Sequence, residues 1–220
     1  MGELTSGRSY SFNNAAPMYS HRYLLKHLSR AISNRSWPLN ARALDYGCGN
    51  GSFTGWLAAK GFSTVGIDIS ESGIEWARRA VPAAEFSLDN SLENLLRLGP
   101  FDLVTCIEVI AHCYTPSNDL EKLFSCLRPG GTLVLATPYH GYAKNLAMAL
   151  TGSLERHLDT SGSNVHVHFF TPLSISKLLE QAGFRNITVT RAGRIAPLAK
   201  SMILTCSRPS LECTERALTR

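Results

Sequence analysis

The chain has 220 residues, 44% of them apolar and 18% charged, the length and balance of one globular domain with a core of its own. It holds no uninterrupted apolar run of the ~18 residues a membrane span needs, and its opening MGELTSGRSYSFNN lacks the apolar centre of a signal peptide, so a secreted or integral-membrane protein is not expected and a cytoplasmic one is. The net charge of +5 divides into basic ends (+5 over residues 1 to 42, +4 over 151 to 220) and an acidic middle of −4; the basic residues are spaced singly rather than clustered, which disfavours a nucleic-acid surface and suits two ends folded over a pocket for an anion.

The six cysteines, Cys48, Cys106, Cys113, Cys126, Cys206 and Cys213, form no C-x-x-C pair and no metal-ligand spacing, and read as reduced thiols. Ahead of the first strand, residues 20 to 33 carry Tyr23, Leu24, His27, Leu28 and Ile32 at helical spacing, with Arg22, Lys26 and Arg30 on another face. From residue 43 short β-branched runs alternate with helical patterns, the order of an α/β protein with a mostly parallel sheet. The strands expected are RALDYG (42 to 47), STVGIDI (63 to 69), AEFSL (84 to 88), FDLVTCIEV (101 to 109), TLVLATP (132 to 138), ITVT (187 to 190) and SMILTC (201 to 206). Phe53, Trp56 and Leu57 mark a helix closed by Gly61; Asn118 and Glu121 resemble a capping box, on a helix that Pro129-Gly130-Gly131 would stop. Residues 139 to 170 read as an insertion with a helix at 143 to 150, and Thr171 as the N-cap of a helix with Pro172 at its first position and Gly183 at its end. The tail from Pro209 is expected to be disordered.

Chemistry concentrates at Asp45-Tyr46-Gly47-Cys48-Gly49-Asn50-Gly51, where the first strand gives way to the first helix of the α/β alternation, the crevice in which open α/β sheets bind ligands. Asp68, at the end of the second strand, is placed to accept hydrogen bonds from both hydroxyls of an adenosine ribose. Ser52 stands where a nicotinamide-type G-x-G-x-x-G would have its third glycine, and no G-x-x-x-x-G-K-[ST] exists, so the nicotinamide and P-loop readings lose ground. Asp45 would repel a pyrophosphate and suit an ammonium group.

The G-x-G-x-G spacing after an acidic strand end resembles the class I S-adenosylmethionine-dependent methyltransferases, and the resemblance continues through VGIDIS, LDNSL (88 to 92), FDLVTCIEVIAH (101 to 112) and LRPGGTLVLATP (127 to 138). Within that class CIEVIAH and Arg22 look most like the small-molecule O-methyltransferases of the ubiquinone-pathway type. The resemblance implies a Rossmann-like, doubly wound, seven-stranded and mostly parallel sheet with a final antiparallel strand. It divides the chain into an N-terminal helical cap or lid (1 to 41), a cofactor-binding domain (42 to 207) whose 139 to 170 insertion forms part of the acceptor pocket, and a tail (208 to 220). Carried over by position, Gly47, Gly49, Asp68, Asp89 and Ile107, with Ile69 and Asn90 in the same blocks and Asp45 beside them, would line S-adenosylmethionine and its product S-adenosylhomocysteine, and Arg22 would pair with the cofactor's carboxylate. The family's usual run of acid, two apolar residues, acid and histidine reads Glu108-Val109-Ile110-Ala111-His112 here, and the lost second acid counts against a metal-assisted mechanism through that position.

Such chemistry moves a methyl group from a sulfonium to a nucleophile in line, so the protein must align the reactants and exclude water. A hydroxyl acceptor also needs a proton acceptor, and the candidates are His112, His140 and His168, with His166 beside the last. His166 and His168 as a metal pair would lack a third ligand, so no metal ligand is assigned, and whether a metal assists stays open. Tyr19, Tyr23 and Tyr139 could face the sulfonium or a ring-bearing substrate; Trp37, Trp56 and Trp76 are assigned to packing. The acceptor expected is a small molecule, an anionic one given the basic ends. DNA is not expected, because the fourth strand does not end in the Pro-Pro motif of DNA amino-methyltransferases; a protein or RNA acceptor and a non-catalytic cofactor-binding module stay open, as does the oligomeric state.

Overall fold

The computed structural model describes residues 10 to 155 and 166 to 210. Seven strands form one sheet: β1 (Arg42–Tyr46), β2 (Ser63–Ile67), β3 (Glu85–Ser87), β4 (Phe101–Ile107), β5 (Leu127–Pro138), β6 (Arg185–Ala192) and β7 (Ser201–Ser207). Their spatial order is β3-β2-β1-β4-β5-β7-β6. β3, β2, β1, β4 and β5 pair in parallel, and β7 runs antiparallel between β5 and β6. The order reverses between β1 and β4, and a crevice opens at the carboxyl ends of those two strands.

Alternation along the central strands divides the core. Leu103 and Ile107 of β4 and Val134 and Ala136 of β5 join one apolar layer with Leu24, Leu28 and Ile32 of helix α1 (His21–Ser33) and Phe53 and Leu57 of α2 (Ser52–Ala58). Val104 and Cys106 of β4 and Leu133 and Leu135 of β5 face the other way. There they meet Leu95 of α4 (Leu92–Leu98), Leu120 and Leu123 of α5 (Pro116–Cys126), and Ile175 and Leu179 of α7 (Pro172–Gln181). Helix α3 (Glu71–Ala80) packs Ile74 and Ala77 on Cys48 and Phe86, and α6 (Tyr142–Leu150) follows β5. This is the doubly wound sheet expected from the sequence.

Thr171 caps α7 as anticipated, in a reciprocal box with Ser174. The box expected at Asn118 and Glu121 does not form: α5 begins after Thr115 with Pro116 at its first position and has no side-chain cap. Nor does this helix run to Pro129. It stops at Cys126 because Leu127 already pairs with Phe101 in the β4–β5 ladder. The last carbonyls of α5 are taken by Arg208, whose Nη1 lies 3.1 Å from the Phe124 and Ser125 oxygens and 2.7 Å from that of Leu127, a cation closing a helix C-terminus. Arg208 therefore belongs to the folded domain and not to the tail; the rest of the expected disordered tail beyond Ser210 lies outside the described residues.

Candidate active site

After β1 the chain turns sharply. Gly47 and Cys48 both donate to the Ile67 carbonyl (2.7 and 3.0 Å), tying the turn to the end of β2. Gly47 has φ +77°, and a Cβ there would lie 2.2 Å from Val109 Cγ2, so only glycine lets the loop after β4 close against the turn. Gly49 donates to Asp68 Oδ2 (2.7 Å) while Ser70 donates to Oδ1 (2.8 Å). Burial raises the Asp68 pKa, and the Ser70, Gly49 and Ile69 amides oppose that rise. Each oxygen keeps a second lone pair, so the carboxylate can still receive two ribose hydroxyls. Just past β2 and β3, Ile69 and Leu88 are 47% and 39% exposed, an apolar pair suited to the faces of an adenine. Asp89 is exposed, held by the Ser91 amide, which lowers its pKa; neighbouring Asn90 is half-buried and its carbonyl accepts from Lys122 (3.5 Å). These features fit an adenosyl group.

Asp45 is differently employed. It is fully buried, its two oxygens accept from Thr54 (2.7 Å) and Thr105 (3.0 Å), and burial pushes its pKa up to about 6. Its carboxylate thus ties β1 to α2 and β4 beneath the turn. Ile107 is buried in the α1-side apolar layer. Arg22 is exposed on α1, near Tyr19, whereas its neighbour His21 is the residue that meets the glycine turn's helix, with Nδ1 3.3 Å from Ser52 Oγ.

No motif or periodicity marks residues 10 to 16, which run across the turn as a strap. Phe12 N donates to Ser72 Oγ (3.0 Å), Ser70 Oγ to the Tyr10 carbonyl, and Asn50 Nδ2 to the carbonyls of Asn14 (2.8 Å) and Ala16 (2.9 Å). The Phe12 ring covers Gly49, where a Cβ would lie 2.6 Å from Cζ. Tyr10 reaches the far side of the crevice, edge-on to His112 at 5.8 Å.

Three of the four histidines gather behind β4. His112 ends a short 3-10 turn (Ile110–His112) and stacks on His166 at 4.7 Å; His168 is tied to the same turn by its amide, 3.0 Å from the Ala111 carbonyl, and stacks on Phe170. His140 is buried and meets Phe169 edge-on at 4.9 Å. Residues 166 to 170 are not a strand, and His166 and His168 meet different rings, His112 and Phe170. Among the described residues no three His, Cys, Asp or Glu side chains are grouped to hold a metal.

A polar cluster that sequence reading did not assemble lies on the other side of β4's end. Glu108 follows Ile107 with φ +59°, a left-handed backbone rare outside glycine. That turn aims its side chain inward, where burial raises its pKa against the opposing effects of the Ser201 hydroxyl and Lys144. Ser201 Oγ is 2.9 Å from Tyr23 Oη on α1. Lys144 of α6 reaches the carbonyls of Tyr139 (2.7 Å) and Lys200 (3.4 Å), and burial, aided by Arg194, lowers its pKa. Lys200 lies over Tyr19 (5.0 Å) and Tyr23 (5.4 Å). Its field and hydrogen bond lower the Tyr19 pKa. Tyr139 instead is buried, with Arg191 over its ring at 5.2 Å. Trp37 and Trp56 pack as assigned, on Phe62 and Phe53, whereas half-buried Trp76 meets the Arg79 guanidinium one turn on.

Comparison with known proteins agrees with this geometry. The family described as "Methyltransferase domain" matches residues 19 to 189. The chain is 31% identical over 160 residues to a ubiquinone biosynthesis O-methyltransferase of Xanthomonas axonopodis pv. citri, covering 70% of this chain and 66% of that one. It is 24% identical over 170 residues to the enzyme so named from Coxiella burnetii, covering 76% of this chain and 71% of the other. Among solved structures, magnesium protoporphyrin IX methyltransferase from Synechocystis with bound S-adenosylhomocysteine superposes with a TM-score of 0.63 at 21% identity, over 84% of this chain and 81% of that one. With the strand order, the glycine turn and Asp68 in place, the chain belongs to the class I S-adenosylmethionine-dependent methyltransferases.

Proposed function

We propose that this methyltransferase acts on a hydroxyl oxygen of a small, anionic acceptor, held between α1, α6 and the loop leading into β7. The observation that carries this reading is the cluster at the end of β4. Arg22, Lys144, Arg194 and Lys200 stand around Tyr19, Tyr23 and Glu108, and among the described residues none of these four cations is in an ion pair. Four cations that make no ion pair, gathered beside aromatic rings, outnumber the one carboxylate among them and suit a compact acid. The curated relatives' names, which specify oxygen, support the choice of nucleophile.

On the donor side, Gly47 and Gly49 bring the backbone close, Asp68 takes the ribose hydroxyls, and Ile69 and Leu88 sandwich the adenine with Asp89 and Asn90 at its edge. Bound there, the cofactor supplies an electrophilic methyl on a sulfonium, a leaving group that needs little help. The protein's own part is alignment and the exclusion of water, by the strap from below and α6 from above. Calorimetric titration with S-adenosylmethionine and S-adenosylhomocysteine tests this. Micromolar binding is expected, weakened at least tenfold in Asp68→Ala, since two hydrogen bonds to a charged group are worth about 1.5–3 kcal/mol each; equal binding by the variant would remove Asp68 from the donor site.

A further inference from the structure

The donor site accounts for the glycine turn, but two candidate proton acceptors keep a buried atom without a hydrogen-bond partner, His168 Nε2 and Glu108 Oε1; of the two, Glu108 alone is also held in a left-handed backbone. Its Oε1 is buried and has no hydrogen-bond partner, although a buried carboxylate oxygen without a donor is destabilising. The residue also holds a left-handed backbone at φ +59°. A costly conformation that aims a costly orphan group into a crevice points to a ligand that supplies the missing donor. The groups beside it are Ser201 from β7, Lys144 from α6 and Tyr23 from α1, while Cys106 of its own strand, packed in the opposite layer, also feels its charge. Of these, Ser201 bonds onward to Tyr23 Oη at 2.9 Å, and Tyr23 is half-buried, so a hydroxyl path leads from the carboxylate toward the surface.

We propose that Glu108, not a histidine, receives the acceptor's proton: the acceptor's hydroxyl sits on Glu108 Oε1, and its acidic group on Lys200 and Arg194. This rests on the hydroxyl-acceptor reading above. In the transfer, a lone pair of the acceptor oxygen forms the new O–CH3 bond as the S–CH3 bond breaks and its electron pair returns to sulfur, leaving a neutral thioether. The hydroxyl proton goes to Glu108, and from the neutral acid through the Ser201 and Tyr23 hydroxyls to water. A carboxyl whose burial brings its proton affinity closer to that of the working solution is the more effective base.

The test uses the full chain loaded with S-adenosylhomocysteine and, as probes, the three hydroxybenzoate isomers and their neutral amides, which present a hydroxyl and an acid at three separations. At least one isomer is expected to bind tenfold or more tighter than its amide, with Glu108→Gln weakening it and leaving S-adenosylhomocysteine affinity and melting temperature unchanged. With S-adenosylmethionine, that isomer is expected to be methylated on oxygen, and Glu108→Gln to lose a hundredfold or more of the rate, within the roughly 10²–10⁴ attributed to general base catalysis. His112→Gln is expected to lose far less. Failure of every isomer to bind, a bound isomer left unmethylated by the wild type, or a Glu108→Gln rate within threefold of wild type each overturns the proposal. Retained S-adenosylhomocysteine binding in any of those cases leaves the donor site standing, whereas its loss would strike the underlying reading itself.

Discussion

Asp45 shows how a residue suited to a ligand can be spent on the scaffold. Its folded pKa of about 6 lies above the usual carboxyl value because burial disfavours the charge more than Thr54 and Thr105 favour it. A carboxyl raised on folding binds more protons in the native state, so stability falls as pH rises from about 4 to about 6 and is lowest above that. At about 1.4 kcal/mol per pH unit, the wild type is expected to lose up to ~3 kcal/mol over that window relative to Asp45→Asn, checked by urea unfolding of both proteins at several pH values. Gly47 makes a second prediction. Gly47→Ala combines a left-handed penalty of about 1–2 kcal/mol with overpacking of about 1–3 kcal/mol against Val109. Adding Val109→Ala should return the overpacking share and leave the backbone share, a coupling that a double-mutant cycle would read directly.

These residues also mark what was legible. The meeting of Gly49 with Asp68 was legible from spacing because one strand-turn-helix unit and the next strand end bring them together locally. Glu108 was visible in its motif, yet its partners were not. Tyr23, Lys144 and Ser201 arrive from a helix before the sheet, a helix after β5 and the last strand, and nothing in their own neighbourhoods announces the meeting. The histidines show the same limit: their positions after strand ends are local, whereas the rings they meet, Tyr10, His166, Phe169 and Phe170, come from the strap and from residues 166 to 170.

At the scale of elements, the N-terminal region separates into two parts with different roles. Helix α1 buries Leu24 and Leu28 completely and Ile32 almost so, and side chains of this kind cost about 2–5 kcal/mol each when truncated. Their joint loss matches the whole stability of a typical domain, about 5–15 kcal/mol, so deleting residues 1 to 35 is expected to unfold the protein rather than open a lid. Deleting residues 1 to 17 removes the strap and leaves α1 in place. That shorter chain is expected to keep its circular dichroism and melting temperature within a few degrees, and to bind S-adenosylhomocysteine more weakly because Phe12 no longer covers Gly49; unchanged affinity would make the strap a bystander. The helix signals read from sequence held where a cap was local, as at Thr171, and failed at α5, where a distant arginine and a strand ladder decide the end.

Across the whole molecule, alternating patterns were enough to place all seven strands, since the β-branched runs and the Gly and Pro between them follow the sheet's period. Their spatial order was available only through resemblance, because nothing local says that the final strand slots in beside β5 and leaves β6 on the edge. That insertion has a consequence for the order in which the protein can assemble during synthesis. β5 is made long before its neighbour, and β6 has no partner at all until β7 pairs with both. A ribosome-bound chain lacking residues 201 to 207 therefore carries one open strand edge and one stray strand, the exposed state in which chains are prone to pair with each other. Completion of the sheet, and with it delivery of Ser201 to Glu108, waits for the last stretch of the fold to emerge.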